Sequence, residues 1–301
     1  MAGATITYLD AINSREMLRA LRDTRVTALL TVPRLLRVLA DRVERLAPGD
    51  GAEAVTGLAH LRLVVSGGAA LSAALASTCE QRLGISVCQG YGLSEAAPVI
   101  AVGVPGRVKA GSVGQVLPGQ EVQIADPDQR GVGEILARGA NITAGYYGRP
   151  ELSEQILRNG WLHTGDLGYV DCDGYLFLTG RKKDLIVTGA GKNIYPQEVE
   201  SLYAGLPQVA ELGVVGAYSP RTEGEEIHGV AVLAREGEDA AALQQELCRI
   251  SQTLPSYHRL HHLHIRTRPL PHGAGGAIDR PALLAELERD FPAAADPLAG
   301  L

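Results

Sequence analysis

Three short apolar runs separated by helical patterns constrain the first part of this chain more than any other feature. They are VTALLTV (26–32), LRLVVSGGAAL (61–71) and ISVCQ (85–89). VTALLTV and ISVCQ are too short for a helix and read as buried strands, while LRLVVSGGAAL reads as a strand, a glycine turn and the start of a helix. Between them lie amphipathic helix patterns. SREMLRALRD, 14–23, sets Met17, Leu18 and Leu21 on one side, and a run opening at Pro33 carries Leu35, Leu36 and Leu39. Proline suits a first helical turn because its missing N–H would be unpaired there anyway. Strands alternating with helices predict an α/β layer with parallel strands.

The texture changes near residue 110. EVQIAD, GEILARG and YLFLTGR are short alternating strands broken by Gly and Asp, the pattern of a small β-rich subdomain. After GRKKD, 180–184, come a strand (LIVTG), a helix from Pro196, strands near 210–215 and 228–234, and a helix over about 240–254. That order predicts a compact α+β domain. The expected division is 1–181 and 182–301, with a hinge at 181–184. A length of 301 residues suits two cores rather than one.

Composition narrows the function classes. With 46% apolar and 21% charged residues the chain is ordinary globular material, and a formal charge of −6 opposes nucleic-acid binding, which needs a basic face. No run approaches the roughly 20 apolar residues of a membrane span. The start, MAGATITYLD, has no basic region followed by an apolar one. Cys79, Cys88, Cys172 and Cys248 lie far apart, unlike a zinc site or disulfide scaffold. A reduced cytoplasm is the expected location.

Several segments carry chemistry. In VVSGGAAL, Gly68 and Ala69 follow a strand and precede a helix, where backbone N–H groups can face an anion or a flat base. Tight turns use glycine for geometry alone, so this signal is weak by itself. GYGLSE, 90–95, is more pointed: Tyr91 can stack on a base, Ser94 can donate to a phosphate, and Glu95 can bind Mg²⁺, which favours one or two carboxylates plus phosphate oxygens. The bland alternative is a helix start capped by Ser94. In GWLHTGDLGYVDCDGYLFLTGRKKD, 160–184, Asp166 can accept both hydroxyls of a ribose and Arg181 can complete the grip. DCDG, 171–174, reads as a hairpin turn rather than a calcium loop. If LHHLHIRT is a strand, His262 and His264 share a face and His261 points away, so these three cannot converge on a metal.

Together SGGAAL, GYGLSE, GWLHTGDLGYVDCDGYLFLTGRKKDLI and GKNIYPQEVE resemble, in order and spacing, the AMP-forming acyl-CoA synthetase (adenylate-forming ligase) superfamily. The resemblance is strongest to its bacterial long-chain fatty-acid CoA ligases. It implies an α/β fold comprising the latter part of the large domain with its β-rich subdomain, followed by a small mobile α+β C-terminal domain. It also implies activation of a fatty acid or other carboxylate through an acyl-adenylate to acyl-CoA, using ATP, Mg²⁺ and CoA. By this resemblance Gly68 and Ala69 form the adenine wall, and Tyr91 lies on the adenine face. Ser94 sits near the α-phosphate, Glu95 at Mg²⁺, and Asp166 and Arg181 on the ribose. Lys183 takes the hinge position, and Gly191 lies where CoA pantetheine passes.

Two departures accompany the resemblance. The family's phosphate-gripping loop, rich in Ser, Thr and Gly with a Lys, has no counterpart in residues 1–60. The expectation is a second part of a ligase, incomplete for adenylation alone and served by a separate N-terminal half or a second copy. Family members also end near LPxTxxGKIxR, whereas this chain reads LPHGAGGAIDR, with Ala277 at the lysine position. A preorganised cation there is worth about 3–4 kcal/mol of transition-state stabilisation. The same residues also suit a non-catalytic adenylate- or CoA-binding protein descended from such a ligase.

Overall fold

The computed structural model describes residues 3–8, 14–44, 58, 60–69, 71–83, 85–235, 237–273 and 276–290. Ala70 of the SGGAAL segment and Gly275 of the LPHGAGGAIDR segment lie outside the described residues. The chain divides into two compact units, one of Met1–Thr164 with Tyr169–Leu178, the other of Gly165–Gly168 with Thr179–Leu301.

The first unit opens with α1 (Ser14–Asp23), β1 (Ala28–Thr31), α2 (Pro33–Glu44), β2 (Leu63–Ser66), α3 (Ala73–Leu83) and β3 (Val87–Tyr91). β1, β2 and β3 pair in parallel, as helix crossovers require. Two short strands, β4 (Ala101–Val102) and β5 (Gln115–Val116), then extend the sheet antiparallel in the order β1-β2-β3-β4-β5. Its core joins Met17 and Leu21 of α1, Leu36 and Leu39 of α2, Val64 of β2 and Val87 of β3. Each such side chain, fully buried, contributes about 1.5–3 kcal/mol.

One expectation fails here. VTALLTV reads as a buried strand, yet β1 is half-exposed along its length and Leu30 is 79% exposed. Among the described residues β1 stands at the edge of its sheet with β2 as its neighbour, and an apolar run does not itself supply the layer that would cover it.

The β-rich part follows: β6 (Gln120–Ala125), β7 (Gly133–Gly139), α4 (Pro150–Ile156), β8 (Leu157–Arg158), β9 (Trp161–Val170) and β10 (Leu176–Arg181). The strand order is β10-β9-β7-β6, with β8 beside β9. The DCDG segment is the turn between β9 and β10. Asp171 accepts the N–H groups of Asp173 and Tyr175, and Lys109 places its ammonium 2.5 Å from Asp171 and 2.7 Å from Asp173. That ammonium holds the Asp171 carboxyl below its ordinary range.

The second unit contains the hairpin β11 (Ile186–Val187) and β12 (Asn193–Ile194), then α5 (Pro196–Leu202), β13 (Val209–Ser219), β14 (Gly224–Leu233), α6 (Ala240–Thr253), β15 (His262–Arg266) and α7 (Arg280–Asp290). β14 lies between antiparallel β13 and parallel β15. One sheet face packs Val214, Ile227 and Ala231 with Val199 and Tyr203 of α5 and its neighbouring turn and with Leu243 and Leu247 of α6. The other face packs Val215, Val230 and Val232 with Leu283 and Leu287 of α7. Burial on both faces explains why β14 reads GVAVL rather than alternating. Asp239 caps α6 by accepting the N–H groups of Ala241 and Ala242.

All four cysteines are free thiols. Cys79 and Cys88 are buried, while Cys172, in the β9–β10 turn, and Cys248, on α6, are exposed. No described helix is long and apolar enough to cross a membrane.

Candidate functional site

The candidate site of the first unit lies at the carboxyl ends of β2 and β3, where parallel sheets present ligand-binding turns. Gly67 donates to Thr31 O at 3.0 Å and Gly68 turns left-handed at φ +77°, a conformation that favours glycine. A side chain at Gly67 would stand 3.5 Å from Gly90 O, so the SGG turn and the GYGLSE segment run side by side. Ala69 is half-buried next to Gly68. Ser66 is buried, and among the described residues its hydroxyl has no hydrogen-bond partner. Tyr91, the last residue of β3, is 6% exposed and packs with Ile100, Val113 and Ile135.

Beyond Tyr91 the chain turns where a side chain cannot fit: a Cβ on Gly92 would lie 1.8 Å from Pro98 O. A single 3₁₀ turn follows, Ser94–Ala96. Its N-cap is Leu93 and no side chain caps it, so Ser94 is an exposed hydroxyl rather than the expected capping alternative. Glu95 is half-buried.

Sequence reasoning missed the segment that braces this turn. The loop after β7, 139–148, reaches back some fifty residues along the chain. Asn141 Nδ2 donates to Ala96 O at 2.5 Å, Thr143 N donates to Glu95 O at 2.8 Å, and the Tyr146 hydroxyl donates to Glu95 Oε1. That last bond pushes the Tyr146 phenol above its ordinary pKa. The available signal was GANITAGYYGRP, a glycine- and tyrosine-bearing stretch before the Pro150 helix start.

The donor set fits a magnesium ion brought in with a phosphate. Among the described residues no group of three or more His, Cys, Asp or Glu could hold a metal by itself. Glu95 offers one carboxylate whose Oε1 is taken by Tyr146, with the Ser94 hydroxyl beside it. Mg²⁺ is held by one or two carboxylates and completes its shell with phosphate and water oxygens.

In the second unit Arg181 Nε lies 3.1 Å from Asp166 Oδ1, the carboxylate nearly buried and the guanidinium more than half exposed. Lys183 is exposed on a 3₁₀ turn, Lys182–Asp184. Gly191 closes the β11–β12 hairpin at φ +71°, its N–H donating to Thr188 O at 2.8 Å, and among the described residues nothing lies within 4 Å of where a Cβ would project. Backbone there is open to close approach.

Ala277 is exposed in a loop held by its backbone. Gly273 N donates to Ala277 O at 2.9 Å, Asp279 N to Pro271 O at 2.8 Å, and His272 bridges Ile278. At its end Arg280, 7% exposed, sets Nη2 2.8 Å from Glu200 Oε1, with Asp184 3.9 Å from Nε. Burial pushes the Glu200 carboxyl up to about 7 despite the attraction of Arg280.

The histidines gather around a residue outside their own segment. His228 of β14 pairs in register with His262, stacks on it at 4.3 Å between ring centroids, and places Nδ1 3.2 Å from His264 Nε2. His262 Nε2 stands 3.0 Å from Glu226 Oε2. Burial lowers His228 to about 3, so the ring is neutral. His261 turns away and accepts from Ile227 N at 3.1 Å.

Two family descriptions match the chain: AMP-binding enzyme over residues 1–147, and AMP-binding enzyme C-terminal domain over 198–276. The chain belongs to the adenylate-forming acyl-CoA synthetase superfamily. It is 38% identical over 228 residues to a feruloyl-CoA synthase of an Amycolatopsis species, covering 73% of this chain and 44% of that protein. It is 37% identical over 244 residues to the fatty acid–[acyl-carrier-protein] ligase ScoC of Streptomyces coeruleorubidus, covering 77% and 45%. The o-succinylbenzoate CoA synthetase of Bacillus subtilis, solved with ATP and a magnesium ion, superposes with a TM-score of 0.74 at 30% identity over 90% of this chain and 54% of that one. The chain thus spans about half the length of the relatives it matches.

Proposed function

We propose that this protein serves an AMP-forming acid–thiol ligase reaction, activating a fatty acid or another carboxylate as its acyl-adenylate and passing the acyl group to CoA. In the first step a carboxylate oxygen bonds to the α-phosphorus of ATP and pyrophosphate leaves. In the second the CoA sulfur bonds to the acyl carbon and AMP leaves. The carrying observation is the paired turns at the ends of β2 and β3: a left-handed glycine turn beside buried Tyr91, then an exposed hydroxyl and a carboxylate braced by a second loop.

In this reading Gly68 and Ala69 line the adenine and Tyr91 backs it. Ser94 donates to the α-phosphate, and Asp166, oriented by Arg181, accepts the ribose hydroxyls. Glu95 would hold magnesium, which neutralises charge on the phosphates. Lys183 is the pivot of a small domain running from 182 to 301, and the open backbone at Gly191 admits the pantetheine arm. Adenylation draws on a phosphate-binding segment supplied by another part of the ligase or another chain, in the cytoplasm. ScoC, by its name, acts on fatty acids, whereas the other relatives above are named for aromatic acids, so the acyl group is the open variable.

A second reading, adenylate or CoA binding without catalysis, is favoured by Ala277, whose exposed methyl replaces the cation that the resemblance implies.

The experiment supplies the whole chain with synthetic acyl-adenylates of graded chain length plus CoA, and separately measures pyrophosphate release from ATP over a fatty-acid panel. Acyl-CoA formed from the adenylate supports the ligase. AMP binding without acyl-CoA supports the second reading. In calorimetry Asp166→Ala should weaken AMP by about tenfold or more, the loss expected for a charged hydrogen-bond partner. Equal binding by wild type and variant would remove Asp166 from the ribose.

A further inference from the structure

The Tyr146 hydroxyl ends on one particular oxygen of Glu95. It donates to Oε1, and among the described residues Oε2 accepts no hydrogen bond. Three separate contacts fix this geometry from the same loop. Thr143 N holds the Glu95 carbonyl at 2.8 Å, and Asn141 Nδ2 holds the Ala96 carbonyl at 2.5 Å. Tyr146 is itself anchored by its own N–H, which donates to Ser153 Oγ at 2.8 Å, and that hydroxyl donates on to Arg149 O at 2.9 Å. The anchoring requires the adjacent glycine: Gly145 sits at φ +133°, and a Cβ there would lie 2.7 Å from Ser153 Oγ.

A carboxylate with one oxygen engaged by a fixed phenol has a single oxygen to give. Small divalent cations with strict octahedral shells bind carboxylates through one oxygen, whereas larger ones take both oxygens of a carboxylate readily. We propose that Tyr146 is a positioning residue that keeps Glu95 a one-oxygen ligand and so sets the preference of the site for Mg²⁺ over Ca²⁺. This rests on the reading of Glu95 given above. Without the hydroxyl the carboxylate is free to rotate and present both oxygens, a change that penalises the smaller ion and helps the larger.

The test is calorimetric titration of ATP into the whole chain with Mg²⁺, with Ca²⁺ and with neither, for wild type, Tyr146→Phe, Glu95→Gln and the double variant. Thermal unfolding confirms that each is folded. Tyr146→Phe should lower the Mg²⁺-dependent tightening of ATP about tenfold, the loss of one hydrogen bond to a charged group, and raise the Ca²⁺-dependent tightening. In the Glu95→Gln background the same change should leave the ratio unmoved. Ser153→Ala, which frees the Tyr146 backbone and keeps the phenol, should shift the ratio in the same direction by less. If Tyr146→Phe preserves the wild-type Mg²⁺/Ca²⁺ ratio, or shifts it equally without Glu95, the inference fails alone. If wild type binds no ATP with any cation, the reading of the turn falls and takes this inference with it.

Discussion

The turn at 90–98 and the loop at 271–280 are both short, glycine-bearing connections that the resemblance assigns to adenylate chemistry, yet they are held in opposite ways. The first is crowded: Gly92 has backbone where a side chain would go, and the reactive-type groups, Ser94 and Glu95, sit directly on the turn. The second is open: among the described residues nothing lies near a Cβ at Gly276, and the loop is closed by backbone hydrogen bonds and by Arg280 at its end. Among the described residues, none of the bonds closing the second loop uses the side chain at 277. A frame of that kind does not depend on the side chain at 277, so it is compatible with the proposed reading of Ala277 as a vacant cation position.

The strongest way to break this comparison is Arg280→Ala. Removing one partner of a buried ion pair costs about 3–5 kcal/mol, and the loss should appear in urea unfolding at pH 8. The sign with pH follows from Glu200. Its folded pKa, about 7, is above its ordinary 4.5, so the protonated form is favoured by folding. The associated stability is complete below the ordinary value and is lost as pH rises through about 7. Glu200 is therefore mostly neutral at pH 5.5, and the cost of losing Arg280 should be smaller there. An effect under about 1 kcal/mol at both pH values would show that Arg280 does not hold the loop's end.

Gly92→Ala comes next. A Cβ driven against a backbone carbonyl displaces the turn, at about 3 kcal/mol, and should disturb the Thr143–Glu95 bond beside it. A variant as stable as wild type would mean that the turn is not crowded in solution.

The smallest stability effect belongs to Ala277→Lys, within about 0.5 kcal/mol because the position is exposed. Its informative readout is carboxylate-dependent pyrophosphate exchange with the phosphate-binding part of the ligase supplied. The variant should exceed wild type there while melting alike, and equal exchange would mean that 277 is not the vacant cation position.

What could be read from sequence follows chain distance. The strand–turn–helix logic of LRLVVSGGAAL, the β-rich middle and the order of the second unit were legible because apolar periodicity and glycine placement are local properties. The brace from Asn141, Thr143 and Tyr146 was not, because nothing in GANITAGYYGRP names Ala96 or Glu95 as its partner. His228 stayed hidden for the same reason: only the register of β14 on β15 sets it between His262 and His264. VTALLTV looked buried because an apolar strand carries no sign of whether it stands at the edge of its sheet.

The distribution of thiols has a practical meaning for the proposed pivot at Lys183. Cys172 belongs to the first unit and Cys248 to the second, both exposed, while burial shields Cys79 and raises the pKa of Cys88, leaving it little thiolate to react. A maleimide donor–acceptor pair will therefore label the unmutated protein with one dye on each unit. Energy transfer between the dyes can then follow domain rotation directly, as AMP, acyl-adenylate or CoA is added, without a single engineered residue.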